Sequence, residues 1–404
     1  MQSKKIMILG ASTLQLPAIC KAKEMGITVI AVDKDSNAVG FKYADICLFF
    51  STIDTPRITE AARQFGIDGI MTAASDRPMR AVALAAAELH LAGISEETAL
   101  RATNKILMRQ CLKEHNVPVP AFFGAEDFRE YQTIMQRFKT ACIVKPADNS
   151  GSRGVFKISD PNDRELAKYA YDYSKKSSGN GEIIVEEFME GPEVSVETIS
   201  ENGAVHIIAV TDKLTSGPPR FVEMGHSQPS RLAAGILGRI KEVAANAVLA
   251  LGIDNGPAHV EIIATKAGPK VVELGARLGG DYITSHLVPL STGTDMVKCC
   301  IQIALGEKPD FKINKRAGAA IRYFNTPPGK IMDIQNVETA KKSPAVRQIT
   351  FVKAIGETAP EINSSSDRVG FVIAQSKNAA AAVKACKNAL ARIRIEIEAQ
   401  GKVL

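Results

Sequence analysis

The chain has 404 residues, of which 45% are hydrophobic and 23% are charged, and its formal net charge is +6. A chain of this length can bury sizeable cores and is expected to form two or three domains. Its basic residues are interspersed with acidic ones, and no long apolar run occurs, so neither a nucleic-acid partner nor a membrane span is expected. Seven cysteines without a C-x-x-C spacing are typical of a reducing compartment, and a cytoplasmic location is expected.

The first 94 residues alternate short apolar runs with helical patterns, which predicts a parallel βαβ sheet. The segment LGASTLQ at 9–15 follows the first predicted strand, and Asp33 ends the second. Because the G-x-G-x-x-G spacing is absent, a structural turn or a substrate-facing loop is favoured over a nicotinamide site.

The segment CIVKPADNSGSRGV at 142–155 combines a β-branched run, a lysine and a Gly/Ser loop. Exposed N–H groups of such a loop form a concavity that binds anions. A Walker A loop places its lysine after the glycines, whereas Lys145 precedes them on a predicted strand. The segment therefore predicts a phosphate site of another kind.

The segment EIIVEEFMEGPEVSV at 182–196 predicts a strand ending at Glu186 and Glu187, a turn, and a new strand beginning at Glu193. Its backbone can meet a purine edge while Phe188 or Met189 covers the ring, and a following carboxylate can bind ribose hydroxyls. A hairpin with solvated acidic residues is the alternative interpretation.

Glu261 and Glu273 lie in two predicted strands joined by the turn TKAGPK. A hairpin would bring both carboxylates to one side, where a divalent cation bridging phosphate oxygens would offset their repulsion. Arg277 and the glycines of LGGD follow directly. Mg²⁺ or Mn²⁺ is the expected ion.

Taken together and in this order, these segments resemble the ATP-grasp carboxylate-amine ligases over nearly the whole chain. The resemblance implies an α/β (α+β) fold that binds ATP. Its expected parts are a Rossmann-like domain at 1–97, an ATP-grasp domain of two nucleotide-clasping subdomains at 98–310 with the lid subdomain at about 140–190, and a small α+β closing module at 311–404.

The resemblance also implies roles for individual residues. Lys105, in TNKILMRQ, and Lys145 match the two lysines that contact phosphates, and the lid that covers the phosphates comprises Ser150, Gly151, Ser152 and Gly154. The adenine hinge matches Glu186 and Phe188, with Glu187 between them, and the ribose-binding acid matches Glu193. Glu261 and Glu273 match the metal-binding acids, and Arg277 matches the arginine that faces the acyl phosphate. Many members carry Asn two residues after the second metal acid, where this chain has Gly275.

The segment PRFVEMGHSQPS at 219–230 is predicted to be a loop that presents Glu223 and His226. It resembles the L-amino acid ligases, in which the matching residues face the amino-acid substrates. The expected activity is thus ATP-dependent joining of a small-molecule carboxylate to an amine. A purine-biosynthesis ligase or carboxylase and a catalytically silent nucleotide-binding protein stay open as alternatives, as do the identities of the two substrates and the oligomeric state, for which a homodimer is one candidate.

Overall fold

The computed structural model describes residues 3–398. The predicted C-terminal module extends to residue 404, and 399–404 lie outside the described residues, as do residues 1 and 2. Within 3–398, no helix is long and apolar enough to cross a membrane. The fold is mixed α/β, as predicted, and residues 3–398 form four sheets.

The N-terminal unit is a four-stranded parallel sheet with the strand order β3-β2-β1-β4. Its elements are β1 (Lys5–Leu9), α1 (Leu16–Glu24), β2 (Thr28–Val32), β3 (Ile46–Leu48), α2 (Thr55–Phe65), β4 (Gly69–Thr72), α3 (Met79–Glu88) and α4 (Glu96–Thr103). Because β1 and β4 are parallel neighbours, the loops after their carboxyl ends lie at the same sheet edge. These two loops contribute to the candidate site.

A smaller unit is built on an antiparallel sheet with the order β5-β8-β6-β7. Its elements are α5 (Lys105–Glu114), β5 (Phe122–Ala125), α6 (Phe128–Met135), β6 (Cys142–Pro146), β7 (Phe156–Ile158), α7 (Arg164–Ser177) and β8 (Ile183–Glu187). The Asn104 side chain caps α5 by accepting hydrogen bonds from the N–H groups of Ile106 and Leu107. This cap fixes Lys105 in the first turn of the helix.

The largest sheet has eight strands in the order β13-β12-β9-β10-β11-β14-β18-β16. Its strands are β9 (Glu193–Glu201), β10 (Ala204–Thr215), β11 (Glu223–Gln228), β12 (Gly256–Thr265), β13 (Gly268–Gly275), β14 (Gly318–Tyr323), β16 (Val346–Phe351) and β18 (Gly370–Ser376). The helices in this part of the chain are α8 (Ala234–Leu251), α9 (Val288–Thr292) and α10 (Met296–Ala304).

A third antiparallel sheet, with the order β17-β15-β19, completes the C-terminal part. Its elements are β15 (Gly329–Gln335), α11 (Val337–Lys341), β17 (Thr358–Ala359), α12 (Ala379–Arg392) and β19 (Arg394–Glu398). The small residues on one face of α12 are buried, and this helix packs on β14 and β18. The core of the C-terminal part therefore lies between α12 and the end of the large sheet.

The prediction of a loop around Glu223 and His226 is wrong, because Glu223–Gln228 forms strand β11. The segment EMGHSQ has no β-branched residue and therefore gives no local strand pattern. It is extended because it pairs with β10 on one side and β14 on the other. Through this pairing, the large sheet continues into the C-terminal part.

Candidate active site

A cavity of about 610 Å³ lies between the small antiparallel sheet and the large sheet, and we call it the nucleotide-side cavity. It is lined by Lys105, Lys145, residues 150–153 of the lid, and the segment 186–193. Glu261, Glu273 and Arg277 line it from the large sheet and the segment after it. The structure thus brings together, around one cavity, nearly all the residues that the sequence assigned to ATP and metal binding.

Both predicted phosphate lysines are buried and paired. The Lys145 ammonium is 2.7 Å from Glu186 Oε2, and Arg109 Nε donates to Glu186 Oε1 at 2.8 Å. Burial raises the pKa of Glu186, but Arg109 and Lys145 outweigh it and hold that pKa below its usual range. Lys105 Nζ donates to the Asn149 carbonyl at 2.5 Å and to Glu273 Oε1 at 3.1 Å. The Glu186 carboxylate is therefore engaged by two cations, and Glu186 is itself paired with Phe122 of β5 and Ile143 of β6 in the sheet.

The lid has the backbone that its glycines predict. Gly151 and Gly154 have φ values of +67° and +76°, a region that glycine occupies without strain. Gly151 is exposed, with open space around its α-carbon, whereas a side chain at Gly154 would collide with Ser177. Ser152 Oγ lies 3.5 Å from Glu223 Oε2, so the lid reaches the opposite wall of the cavity.

The residues predicted to bind adenine and ribose lie at the end of β8, in the small antiparallel sheet, and at the start of β9. Phe188 is half-buried, with the Lys157 ammonium 3.8 Å from its ring centre. Glu187 is 3.0 Å from Lys270. Glu193 Oε1 accepts a hydrogen bond from Lys213 at 2.6 Å. These acidic groups are therefore held in place by lysines of the neighbouring strands.

Glu261 and Glu273 are directly paired residues of β12 and β13, and the register shifts just after Glu261. Both are partly exposed to the nucleotide-side cavity. Two adjacent carboxylates suit a hard cation such as Mg²⁺, which prefers oxygen ligands and keeps several waters. No group of three or more His, Cys, Asp or Glu side chains with metal-binding geometry occurs within 3–398, so the donor set fits Mg²⁺ only if phosphate or water oxygens complete it.

His259 connects Glu261 to a deeper carboxylate. Its Nδ1 is 2.8 Å from Glu197 Oε1, and its Nε2 is 3.2 Å from Glu261 Oε1. Burial lowers the pKa of His259, but Glu197 and Glu261 raise it to about 9. The imidazole therefore carries a proton at neutral pH and bridges the two acids.

Lys213 is a buried lysine of β10 between several acids. Its ammonium is 2.6 Å from Glu193, 3.1 Å from Glu261 and 3.8 Å from Glu223. Burial lowers its pKa, but these three carboxylates raise it well above the usual range. Lys213 is therefore a permanent cation at the centre of the site.

Arg277 is held by an acid from the N-terminal unit. Its Nε and Nη2 donate to the two oxygens of Asp76 at 2.8 and 3.0 Å. Asp76 lies in the loop after β4, and its pKa is lowered because Arg277 outweighs the cost of burial. One edge of the guanidinium is thus occupied, and the group is fixed in orientation.

A second cavity of about 430 Å³ lies beside the first, and we call it the acceptor-side cavity. Glu223 lines it and accepts a hydrogen bond from Ser365 Oγ at 2.7 Å. His226 is 1% exposed, and its Nε2 is 3.2 Å from Asp281 Oδ2. Arg368 binds both Asp281 oxygens at 2.7 Å, which lowers the pKa of Asp281 despite its burial. Glu223 is therefore the more accessible member of the predicted pair.

The N-terminal loop at 9–15, for which the sequence predicts a structural turn or a substrate-facing loop, lies at this cavity. Ser12, Thr13 and Leu14 line it, and Gln15 anchors the loop by donating to the Ala73 carbonyl at 2.5 Å. The loop is therefore both a structural turn and part of the cavity wall.

The two cavities meet at a common set of residues. The shared lining consists of Ser150, Gly151, Arg153, Lys213, Glu223, Glu261 and Arg277. A group transferred from one cavity to the other would pass the lid, Lys213 and Arg277. The arrangement can therefore stabilise a negatively charged group at the junction.

Several of these side chains were not predicted from the sequence, namely Asp76, Arg109, Glu197, Lys213, His259, Asp281 and Arg368. A lysine inside the alternating strand pattern AVHIIAVTDKLT was the one available indication for Lys213. The other side chains could not be predicted as site residues, because their partners lie far away in the chain.

Comparisons with known protein families agree with this geometry. Residues 138–285 match the ATP-grasp domain, and residues 322–398 match the L-amino acid ligase C-terminal domain 2.

The curated proteins that are similar in sequence include the following three. An uncharacterized protein, y4rH, of Sinorhizobium fredii is 28% identical over 77% of this chain and 64% of its own length, so this chain spans less than two thirds of that relative. An L-arginine-specific L-amino acid ligase of Bacillus subtilis is 27% identical over 68% of this chain and 67% of that protein. A phosphoribosylamine–glycine ligase of Methanococcus maripaludis is 24% identical over 98% of this chain and 94% of that protein.

Among solved structures, an L-amino acid ligase from Bacillus licheniformis has a TM-score of 0.85 with 22% identity, covering 99% of this chain and all of that one. At this identity, the similarity shows the fold.

Proposed function

We propose that this chain, which carries matches to the ATP-grasp domain and to the L-amino acid ligase C-terminal domain 2, activates the carboxylate of one amino acid with ATP and joins it to the amine of a second. The observation that carries the proposal is the junction of the two cavities at Lys213, Glu261 and Arg277. One cavity has the residues for a nucleotide, and the other has paired charges that suit a zwitterion. The reaction requires these two binding sites side by side.

In the first step, a carboxylate oxygen attacks the terminal phosphorus of ATP, and ADP leaves. Lys105 and Lys145 would exchange their present acidic partners for phosphate oxygens, and the lid N–H groups would cover the same oxygens. Glu193 would accept hydrogen bonds from the ribose hydroxyls. Catalysis of this step consists mainly of positioning and neutralisation of charge.

Glu261 and Glu273 would hold Mg²⁺, which neutralises charge on the phosphate oxygens during transfer. His259 contacts Glu261 Oε1 at 3.2 Å and would fix the orientation of that carboxylate. Such outer hydrogen bonds tune the ligands that contact a metal.

In the second step, the amine nitrogen attacks the acyl carbon, and phosphate leaves. The N–H groups of Arg277 that are not bound to Asp76 or to the Leu278 carbonyl would stabilise the negative charge that develops on the acyl phosphate. Glu223 would bind the ammonium group of the second amino acid and take its proton. His226 would hold Asp281, which lines the same cavity, in place through their hydrogen bond. The lid, which lies within 3.5 Å of Glu223, would exclude the water that hydrolyses the intermediate.

The rival function is that of a purine-biosynthesis ligase, which the similarity to the phosphoribosylamine–glycine ligase supports. Such an enzyme must bind a ribose phosphate. Two arginines that line the acceptor-side cavity, Arg277 and Arg368, are each bound to a carboxylate, which argues against a phosphate pocket there. The remaining candidates for such a pocket are Arg153, whose side-chain hydrogen bonds within 3–398 go only to Ser150, and the serine and threonine hydroxyls at 12, 13 and 364–366.

The test is phosphate release from ATP and Mg²⁺ with three substrate sets, followed by mass spectrometry of the product. The sets are pooled amino acids, ribosylamine phosphate with glycine, and buffer alone. We expect release and a dipeptide with the first set. Release only with the second set would favour the purine reaction, and ATP binding without turnover in any set would indicate a silent protein.

A further inference from the structure

The acceptor-side cavity has an apolar wall that the nucleotide-side cavity does not share. The residues that form it are Leu14, Tyr282, Ile283, Tyr323, Val352 and Phe371. They come from five separate segments of the chain, which include the N-terminal loop with Leu14 and the segment after β16 with Val352. Val352 is 46% exposed, and Leu14 and Tyr282 are half-buried, so apolar surface is open to the cavity.

Aromatic rings make up the centre of this wall. The ring centres of Tyr282 and Phe371 are 4.4 Å apart, and those of Tyr323 and Phe371 are 5.8 Å apart. Asp281 and Tyr282 have φ values of +50° and +61°, which are costly for residues other than glycine. Strained backbone of this kind persists where the surrounding structure holds it in place, and it is concentrated at functional sites. Here it places the Tyr282 ring at the cavity.

The acidic groups around the same cavity already lie near basic side chains. Asp76 is bound to Arg277, Asp281 to Arg368, and both Glu223 and Glu261 lie within 4 Å of Lys213. The Arg368 guanidinium also lies over the Tyr323 ring, 3.6 Å from its centre, so the charged pair packs directly on the aromatic wall. A cationic substrate side chain would have to displace Arg368 from Asp281.

We propose that this wall is the side-chain pocket of the acceptor-side cavity and that it selects an amino acid with a large apolar or aromatic side chain. The inference rests on the proposed ligase function and adds the class of one substrate. Burial of an apolar side chain against Leu14, Tyr282 and Val352 removes apolar surface from water on both partners. An arginine side chain at this wall would bury its charge beside Arg368, whose partner Asp281 is already engaged, while Glu223 is taken by the substrate ammonium.

The similar Bacillus subtilis protein is an L-arginine-specific L-amino acid ligase. The pairing of Asp281 with Arg368 predicts that this chain differs from it in substrate preference. A binding site for arginine needs an acid that is not already engaged, and Arg368 removes Asp281 from that role.

The experiment is a substrate scan with the full-length protein, in which ADP release and dipeptide formation are measured for all pairs drawn from alanine, leucine, phenylalanine, glutamate and arginine. We expect the highest kcat/KM for pairs that contain phenylalanine or leucine. A wild-type protein that prefers arginine or glutamate in both positions would overturn the pocket assignment while leaving the ligase function intact. A protein that turns over no pair would instead remove the ligase function itself.

Two variants test the wall directly. In Tyr282→Ala and in Leu14→Ala, kcat/KM for phenylalanine should fall about 10- to 100-fold, as loss of apolar contact in a specificity pocket does, with little change for alanine. Equal losses for phenylalanine and alanine would show a general structural role and overturn the proposal. Tyr43→Ala is the matched control, since Tyr43 is an exposed aromatic residue of the N-terminal unit, outside both cavities.

A third variant tests the role of the charged pair. Arg368→Met leaves Asp281 without its main partner, so the ratio of kcat/KM for arginine to that for phenylalanine should rise at least about tenfold, because an unpaired acid favours a cationic side chain. An unchanged ratio in a folded variant would show that Arg368 does not set the preference. If removal of Arg368 unfolds the protein, the wild-type scan and the Tyr282 and Leu14 variants still decide the proposal.

Discussion

The imidazole of His259 gives the protein a pH dependence of stability with a defined sign. It lies between Glu197 and Glu261, at 2.8 and 3.2 Å. Burial alone would lower its pKa, but the two carboxylates raise it from 6.5 to about 9. Because the folded-state pKa is the higher one, this interaction stabilises the protein fully below pH 6.5 and is lost as the pH rises through 9.

The size of the effect follows from the same pKa. Raising a histidine pKa from 6.5 to about 9 corresponds to about 3 kcal/mol in favour of the protonated folded form. His259→Gln keeps a polar side chain but cannot titrate. The free energy of unfolding of the wild type, relative to the variant, should therefore fall by about 3 kcal/mol between pH 6.5 and 9.

The assay is urea unfolding at several pH values from 6 to 9.5, with EDTA present so that metal does not compete with the proton for Glu261. Titration of the histidine ring by NMR, assigned by the loss of its signal in His259→Gln, gives the pKa directly. His90→Asn is the control, since His90 is exposed and outside the site. Parallel stability curves for wild type and His259→Gln, or a ring that titrates near 6.5, would refute the reasoning.

Three further outcomes are expected. Glu273→Gln should abolish ligation while ATP affinity measured without Mg²⁺ stays nearly unchanged, because the hinge segment is untouched; near-normal turnover would contradict the metal site. Gly151→Val should slow phosphoryl transfer in single-turnover assays, because a β-branched residue is strained at a φ of +67° even though the space around it is open, and an unchanged rate would show that the lid does not approach the phosphates. Glu223→Ala and His226→Ala should raise the ratio of ADP formed to dipeptide formed, because the intermediate is lost to water, and a wild-type ratio in both variants would remove these residues from the site.

The N-terminal sheet and the Glu261–Glu273 hairpin were predictable because their signals are local. The alternation of strands and helices before residue 94 gave the parallel sheet, and the turn between two alternating strands gave the hairpin. Strand β11 was not predictable in the same way. Its extended conformation depends on pairing with strands before and after it in the chain, and β14 lies about 90 residues further on.

The residues of the candidate site also fall into those with a local sequence signal and those without one. Residues within a motif, such as Lys145 and Gly151, line the nucleotide-side cavity, and their roles in nucleotide binding stay predictions. Asp76 and Arg277 are 201 residues apart, and Asp281 and Arg368 are 87 apart. Each of these acids looks like an ordinary loop residue in the sequence, since an ion pair between distant segments leaves no local pattern. The tertiary fold alone creates the contact.

Gly275 shows how such a distant contact explains a departure within a motif. A β-carbon at this position would lie 2.5 Å from Asp76 Oδ1 and 3.1 Å from Arg277 Nε. No side chain, and therefore no asparagine ligand, fits there while Asp76 holds Arg277. The loss of one oxygen donor and the fixing of the arginine by the N-terminal unit are thus two consequences of one arrangement. A bound Mg²⁺ would tolerate the absence of this donor, since it usually keeps several waters, whereas a guanidinium needs a fixed partner to keep its orientation.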